Sequence, residues 1–222
     1  MITVKQITSK SDLNKFVTFP FKLYMESKYW VPPLIKDEME TLDRKKNPVF
    51  KNADAWYYLA YKNEKIVGRI AVILNHLEVN EQGKKKIRFG WMDMVDDIEV
   101  TKALLEKAYE KGREHNLEYA EGPVGFSNME KAITWYHYPY YAQHLEKLGF
   151  EKQATWVEYR LKIPDTIFEK VAKFSKIVRE RYRLSVIRFK DKKEILPYVD
   201  EMFGLLNKTY NTLQTFVPIQ QY

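Results

Sequence analysis

The sequence predicts a mixed α+β fold in which a central, mostly antiparallel twisted sheet is flanked by helices. Three observations carry this reading. Two strand-like runs, WYYLAYK and IVGRIAVILN, lie on either side of the turn Asn63-Glu64-Lys65, and KKKIRFGWMDMVD adds a third after EQG, the pattern of an antiparallel meander. From Asp96 the apolar period lengthens to about 3.6 residues, so that Val100, Leu104 and Ala108, with Leu105 and Tyr109, form one stripe through IEVTKALLEKAYEKGREHN. Finally, YYAQHLEKLGF reads as a helix that stops at Gly149 and leads into TWVEYRLKI, rich in aromatic and branched residues.

Taken in order, ITVKQIT (Ile2 to Thr8) alternates apolar and polar residues and predicts a strand. SKSDLNKFVTFPFKLY predicts a helix opened by a Ser or Asp cap, and WVPPLIKDEMETLD a second helix with prolines at its entrance, where a missing N–H is tolerated. The meander and the long helix follow. LEYAEGPVG predicts a further strand ending in the turn-prone Gly122-Pro123, and a helix spans about Tyr140 to Leu148. Gly149 stands where a helix takes a left-handed stop, with Phe150 folding back on the last turn. After the strand TWVEYRLKI, DTIFEKVAKFSKIVRERY is an amphipathic connecting helix. LSVIRFKDKKEILPYV (Leu184 to Val199) then lies on ITVKQITSKSDLNKFV (Ile2 to Val17) without a gap. It reads either as the start of a second copy of the first unit or as chance similarity between two strand-helix pairs. The division expected is 1–163, a connector at 164–183, and an incomplete second unit at 184–222, so the chain is expected to be part of a longer one.

The 222 residues are 45% hydrophobic, enough for one good core and part of a second. No run of about 18 apolar residues is present and MITVKQITSKSDL lacks the build of a signal peptide, so a soluble, cytoplasmic protein without a membrane partner is expected. There is no cysteine, which excludes disulfides and thiolate metal sites, and His76, His115, His137 and His144 read as ordinary surface or core histidines. The net charge of +7 comes from runs such as Lys84 to Lys86 and Arg179 to Arg183. Such runs are solvated faces or, alternatively, contacts for an anionic partner: nucleic acid or a phosphate-rich cofactor. No Walker, Rossmann, kinase or Ser-His-Asp pattern appears.

The element order resembles the GNAT superfamily of N-acyltransferases. Within it FPFKLY with WVPPL, VGRIAVILN, EGPVGFSN and YYAQHLEKLGF are similar to a bacterial group of tandem GNAT-like proteins, over about Ile2 to Ile163. The resemblance implies acyl transfer from acetyl-CoA or another acyl-CoA to a small-molecule amine. It also implies a longer stretch between EGPVGFSN and the aromatic cluster, so a loop near Ala132 and Ile133 is expected to be missing. Acetyl-CoA would lie against Met94, Val95, Lys102 and Asn128, with its pyrophosphate at the start of the long helix. That start, MVDDIEVTKALL, has no glycine, and Asp96, Asp97 and Glu99 occupy it. Carboxylates there stabilise a helix by roughly 0.3–1 kcal/mol each, and they repel a polyanion, so a self-capped helix without a ligand is the competing reading.

GNAT enzymes carry a proton-donating tyrosine four residues before the Gly-Phe glycine; Leu145 stands there. Tyr140 and Tyr141, with Tyr138 one turn earlier, are the candidates for its role, or else packing residues. Asp93, beside Trp91, is the first candidate general base, against a partly exposed charge at a sheet edge; Glu121 is the second. Three functions follow. They are an acyl-CoA-dependent N-acyltransferase, a catalytically inactive GNAT-like binding or scaffolding module, and, drawing on tandem GNAT folds and the positive charge, an aminoacyl-tRNA-dependent transferase.

Overall fold

The computed structural model describes residues 1–222 apart from 127–135, 156, 163, 165–166, 214–215 and 220–222. The chain divides into two units, 1–151 with 209–222, and 152–208.

Strand β1 (Ile2–Gln6) pairs antiparallel with β2 (Ala53–Lys62), and β2 with β3 (Lys65–Asn75). Asn63 and Glu64 make the two-residue link with φ of 50° and 62°, the positive values that match the twist of a tight hairpin. β4 (Lys86–Met94) pairs antiparallel with β3, and β5 (Tyr119–Glu121) pairs parallel with β4, completing a five-stranded sheet in the order β1-β2-β3-β4-β5. The meander, the mixed sheet and the flanking helices expected from the sequence are all present.

Helix α1 (Lys10–Leu23) starts at Ser9, whose Oγ accepts from Asp12 N at 3.0 Å. With α2 (Ile35–Thr41) it covers one face of the sheet, where Phe16, Val17 and Leu42 bury Leu59, Ala71 and Ile73. The other face is covered by α3 (Ile98–Glu114) and α4 (Tyr140–Lys147). Val100, Leu104, Leu105 and Ala108 turn the predicted stripe onto Ile70, Val72, Phe89 and Met94. β3 is buried on both faces from Gly68 to Asn75, which is why IVGRIAVILN reads as a nearly unbroken apolar run. α4 stops as expected: Gly149 has φ 88°, and Phe150 N returns to Leu145 O at 3.0 Å while its ring packs against Phe89.

Three paired positions join β4 to β5, Lys86↔Tyr119 to Arg88↔Glu121. The chain after Glu121 stays against β4 for a few residues more, with Val124 N donating to Phe89 O at 2.8 Å. Gly90 permits this approach, since a Cβ there would stand 2.1 Å from Val124 O. Beneath this joint lies a buried charge network. Glu78, in a π-helical turn at Leu77–Glu81, receives two bonds from the Arg88 guanidinium and one from Lys86 Nζ at 2.9 Å; Lys86 also reaches Glu121 at 2.6 Å.

The strand expected over TWVEYRLKI is not formed: among the described residues of that stretch no strand occurs, and Val157, Tyr159 and Leu161 are exposed. The same holds for Leu184–Phe189. Alternation prepares a segment to be a strand, but only a paired backbone edge makes it one. Among its described residues the second unit contains α5 (Ile167–Tyr182), α6 (Lys192–Ile195) and most of α7 (Val199–Tyr210).

Candidate functional site

β4 carries a bulge that organises the site. Arg69 pairs with Asp93 and Ala71 with Gly90, so Trp91 and Met92 together face the single residue Ile70. Trp91 takes the strain, with φ of 41°, and its Nε1 donates to Glu38 Oε2 of α2 at 2.7 Å. Beyond the bulge β5 no longer follows β4, and the outer edge of Asp93 and Met94 is met by tyrosine hydroxyls instead.

Asp93 is 4% exposed. Arg69 Nε donates to its Oδ2 at 2.7 Å, while Tyr24 Oη stands 3.0 Å and Tyr141 Oη 3.3 Å from its Oδ1. The two hydroxyls are 2.7 Å apart. Arg69 is itself fixed by the Phe16 carbonyl at 2.8 Å and lies over the Phe16 ring. Met94 is engaged on both backbone groups: its N–H donates to Tyr141 Oη at 3.2 Å, and Tyr140 Oη donates to its carbonyl at 2.7 Å. His137 closes the cluster, with Nε2 3.9 Å from Asp93 Oδ1 and its ring 4.7 Å from that of Tyr141.

Burial governs the protonation of these groups. It raises the Tyr24 and Tyr141 hydroxyls far above the ordinary tyrosine value, and the Asp93 charge adds to this, so both stay protonated. Desolvation lowers His137, against the pull of Asp93, and so keeps its imidazole neutral near pH 7. Glu38 is raised by burial, with the Trp91 bond opposing. A largely buried, neutral imidazole, its side chain 32% exposed, thus stands in front of a buried carboxylate. A neutral imidazole so placed is able to take up a proton, and a nearby carboxylate favours the imidazolium that forms.

Four sequence-derived candidates, Asp93, Met94, Tyr140 and Tyr141, meet here. Val95 is tied to β3 through Val67 O at 3.0 Å. Glu121 lies apart, in the Lys86 network, where it answers a buried cation. Lys102 is exposed on α3, and Asn128, like the expected loop junction at Ala132 and Ile133, lies outside the described residues. The residues that sequence reasoning missed are Tyr24, Glu38, Arg69 and His137. Arg69 had a legible signal: one charge inside the apolar run VGRIAVILN needs a buried counter-ion. The others had none, being ordinary residues in helices or connections.

The start of α3 is occupied by its own side chains. Asp97 Oδ1 accepts from Glu99 N at 3.1 Å and its Oδ2 pairs with Lys62 at 2.8 Å. Asp96 meets His144 Nε2 at 3.1 Å, and His144 Nδ1 lies 2.8 Å from Thr101 Oγ1. These residues do not fit a pyrophosphate, because carboxylates already fill the positive end of the helix.

The architecture up to α4, an α1/α2 layer and an α3/α4 layer on either side of a bulged five-stranded sheet, is the one implied by the GNAT resemblance. No protein-family model matches the chain. It is 29% identical over 232 residues to Protein YghO of Escherichia coli (strain K12), covering 99% of this chain and 59% of that protein. It is 25% identical over 173 residues to the bacterial ceramide synthase of Caulobacter vibrioides (strain NA1000 / CB15N), covering 72% of this chain and 45% of that protein. The chain thus spans about half the length of these two curated relatives. Among solved structures it is similar to a predicted acetyltransferase with acetyl-CoA from Clostridium acetobutylicum (TM-score 0.49, 12% identity, 72% of this chain and 96% of that one). It is also similar to an aminoglycoside acetyltransferase from an uncultured soil metagenomic sample in complex with sisomicin (TM-score 0.47, 17% identity, 72% and 97%). A third is a tandem GNAT protein from the clavulanic acid biosynthesis pathway (TM-score 0.47, 15% identity, 67% and 43%).

Proposed function

We propose that the first unit is the acyl-transfer domain of an N-acyltransferase that makes an amide from an acyl thioester and an amine. The observation that supports this best is the convergence of neutral His137, buried Asp93 and two protonated tyrosines at the bulged edge of β4. As the amine nitrogen bonds to the thioester carbon, it loses a proton to His137, and Asp93 favours the imidazolium formed. The C–S bond then breaks, and the same proton passes from His137 to the departing sulfur. Tyr24 and Tyr141 are too strongly held in their protonated forms to supply it; they keep Asp93 hydrogen-bonded and oriented. This division of labour replaces the tyrosine that Leu145 does not provide.

The relatives narrow the substrate. One is a bacterial ceramide synthase, and a ceramide is the amide of a fatty acid and a long-chain amino alcohol. We therefore take a long-chain amino alcohol as the acceptor class and a fatty acyl thioester as the donor, in place of acetyl-CoA alone. The self-capped start of α3 favours one other reading, a GNAT-like module that does not catalyse. Thiol release separates them cleanly, because the chain has no cysteine to interfere. The chain, and any longer chain containing it, is incubated with fatty acyl thioesters of coenzyme A and of a carrier protein, with and without amino alcohols. Amine-dependent thiol release, reduced about 10²-fold or more in His137→Ala and far less in Glu38→Gln, is expected. Absence of amine-dependent thiol release with every donor and amine pair tried, or equal rates in His137→Ala and the parent, overturns the proposal.

A further inference from the structure

Coenzyme A carries its thiol at one end of a pantetheine arm and a pyrophosphate with a nucleotide at the other. A pyrophosphate is held by free N–H groups at the start of a helix. At the start of α3 those groups are spent inside the chain. Asp97 N donates to Val95 O at 2.7 Å, Glu99 N to Asp97 Oδ1 at 3.1 Å, and Val100 N and Thr101 N to Asp97 O at 3.0 and 3.2 Å. Four of the five amides from Asp97 to Thr101 thus have a partner. The charges are closed off in the same way. Lys62 Nζ is taken by Asp97 Oδ2 at 2.8 Å, and this bond holds the Asp97 carboxyl below the usual carboxylate range, so it is ionised at neutral pH. Asp96, which meets His144, and Glu99 are exposed, so a pyrophosphate entering here faces three carboxylates. No glycine lies between Gly90 and Gly112 to let a phosphate come close to the backbone.

We infer that the acyl donor is recognised without a nucleotide: a fatty acyl group in thioester linkage to the phosphopantetheine arm of a carrier protein, rather than to coenzyme A. The two donors share the thioester and the arm. They differ beyond the first phosphate, where coenzyme A continues into a second phosphate and a nucleotide and the carrier into a folded protein. A helix start that has used its amides and its cation to cap itself gains nothing from the pyrophosphate and leaves the thioester end untouched. The balance of the reaction is unchanged: the N–C bond forms, the C–S bond breaks, and the proton from the amine ends on the pantetheine sulfur. This inference rests on the acyl-transfer reading and names the thioester that the reaction consumes.

The test compares decanoyl thioesters of coenzyme A, of free pantetheine and of a phosphopantetheinylated carrier protein on the full chain. Thiol release is followed with one long-chain amino alcohol held constant. The pantetheine and coenzyme A thioesters are expected to agree in kcat/KM within about threefold, with the carrier thioester at least as fast. A chain that used the pyrophosphate would lose about 10²-fold or more with pantetheine. Calorimetry gives a readout that does not need turnover: coenzyme A is expected to show no binding to the parent up to about 1 mM. Replacing both Asp96→Gly and Asp97→Gly frees Lys62 and the Glu99 amide, and should shift the preference toward the coenzyme A thioester by about tenfold. Glycine is tolerated at a helix cap, so circular dichroism of this variant should match the parent. A preference of the parent for the coenzyme A thioester above about tenfold, micromolar binding of coenzyme A to the parent, or an unchanged preference in the double variant overturns the inference and leaves acyl transfer standing. Absence of release from all three donors overturns acyl transfer itself, and the inference with it.

Discussion

Asp93 carries a charge that the sheet has removed from water, and Arg69 pairs with it at 2.7 Å, while His137 approaches only to 3.9 Å. Arg69→Met leaves that carboxylate buried and unpaired, and a loss of about 3–5 kcal/mol in denaturant unfolding is expected. Asp93→Asn, which keeps the shape, should fold better than Asp93→Ala but lose the pull on His137. Tyr141→Phe deprives Met94 N–H and Asp93 of one partner, for roughly 1–2 kcal/mol. His137 gives a pH signature. Because burial lowers its proton affinity in the fold, the unfolded chain takes up the proton first as pH falls from about 6.5. Stability is therefore full above that value and declines as pH drops toward the lowered folded pKa. The acid limb of activity lies in the same window, below the ordinary histidine value, and is absent in His137→Gln. A limb centred above 6.5, followed by kinetics against pH, would contradict the assigned cause.

At the scale of elements, the β4–β5 joint depends on glycine and on buried ions. Gly90→Ala drives a methyl into the Val124 carbonyl 2.1 Å away, so a backbone shift is forced and a loss of at least about 1–3 kcal/mol is expected in thermal unfolding. Gly149→Ala meets no atom but imposes φ of 88° on a residue with a Cβ, for about 1–2 kcal/mol. Glu78→Ala leaves Lys86 and Arg88 facing each other without their shared carboxylate and should cost about 3–5 kcal/mol, almost independent of salt. The exposed pair Lys85 with Glu118 serves as the control, and its removal should leave the midpoint unchanged. The elements themselves were largely legible. Alternation found β1, strand-like runs bounded by turn residues found β2 to β4, the 3.6-residue stripe found α3, and Leu-Gly-Phe found the end of α4. TWVEYRLKI was misread for a definite reason: its pattern is that of a strand, but its described residues pair with no other strand.

For the whole molecule, the two units differ in what holds them. The first has apolar layers on both sides of a five-stranded sheet, whereas the second exposes Phe174, Leu184 and Leu205 along with most of its other apolar residues. Limited proteolysis should accordingly cut within 152–208 first and leave the sheet unit to the last. The amino-acid order sufficed for the helices, the meander and the helix stop, because caps, turns and periodicities are interactions of neighbours within a few residues; the candidacy of Asp93 came from the GNAT resemblance. The site as a constellation belongs to the tertiary structure. Arg69 and Asp93 are 24 positions apart, Tyr24 and Asp93 69, and Tyr24 and Tyr141 117. Nothing local in Tyr24 or His137 marks them as partners of a buried carboxylate; only the folding of α1 and α4 over opposite faces of the sheet, around the bulge at Trp91, brings their side chains to one charge and removes the water that would otherwise have set their protonation.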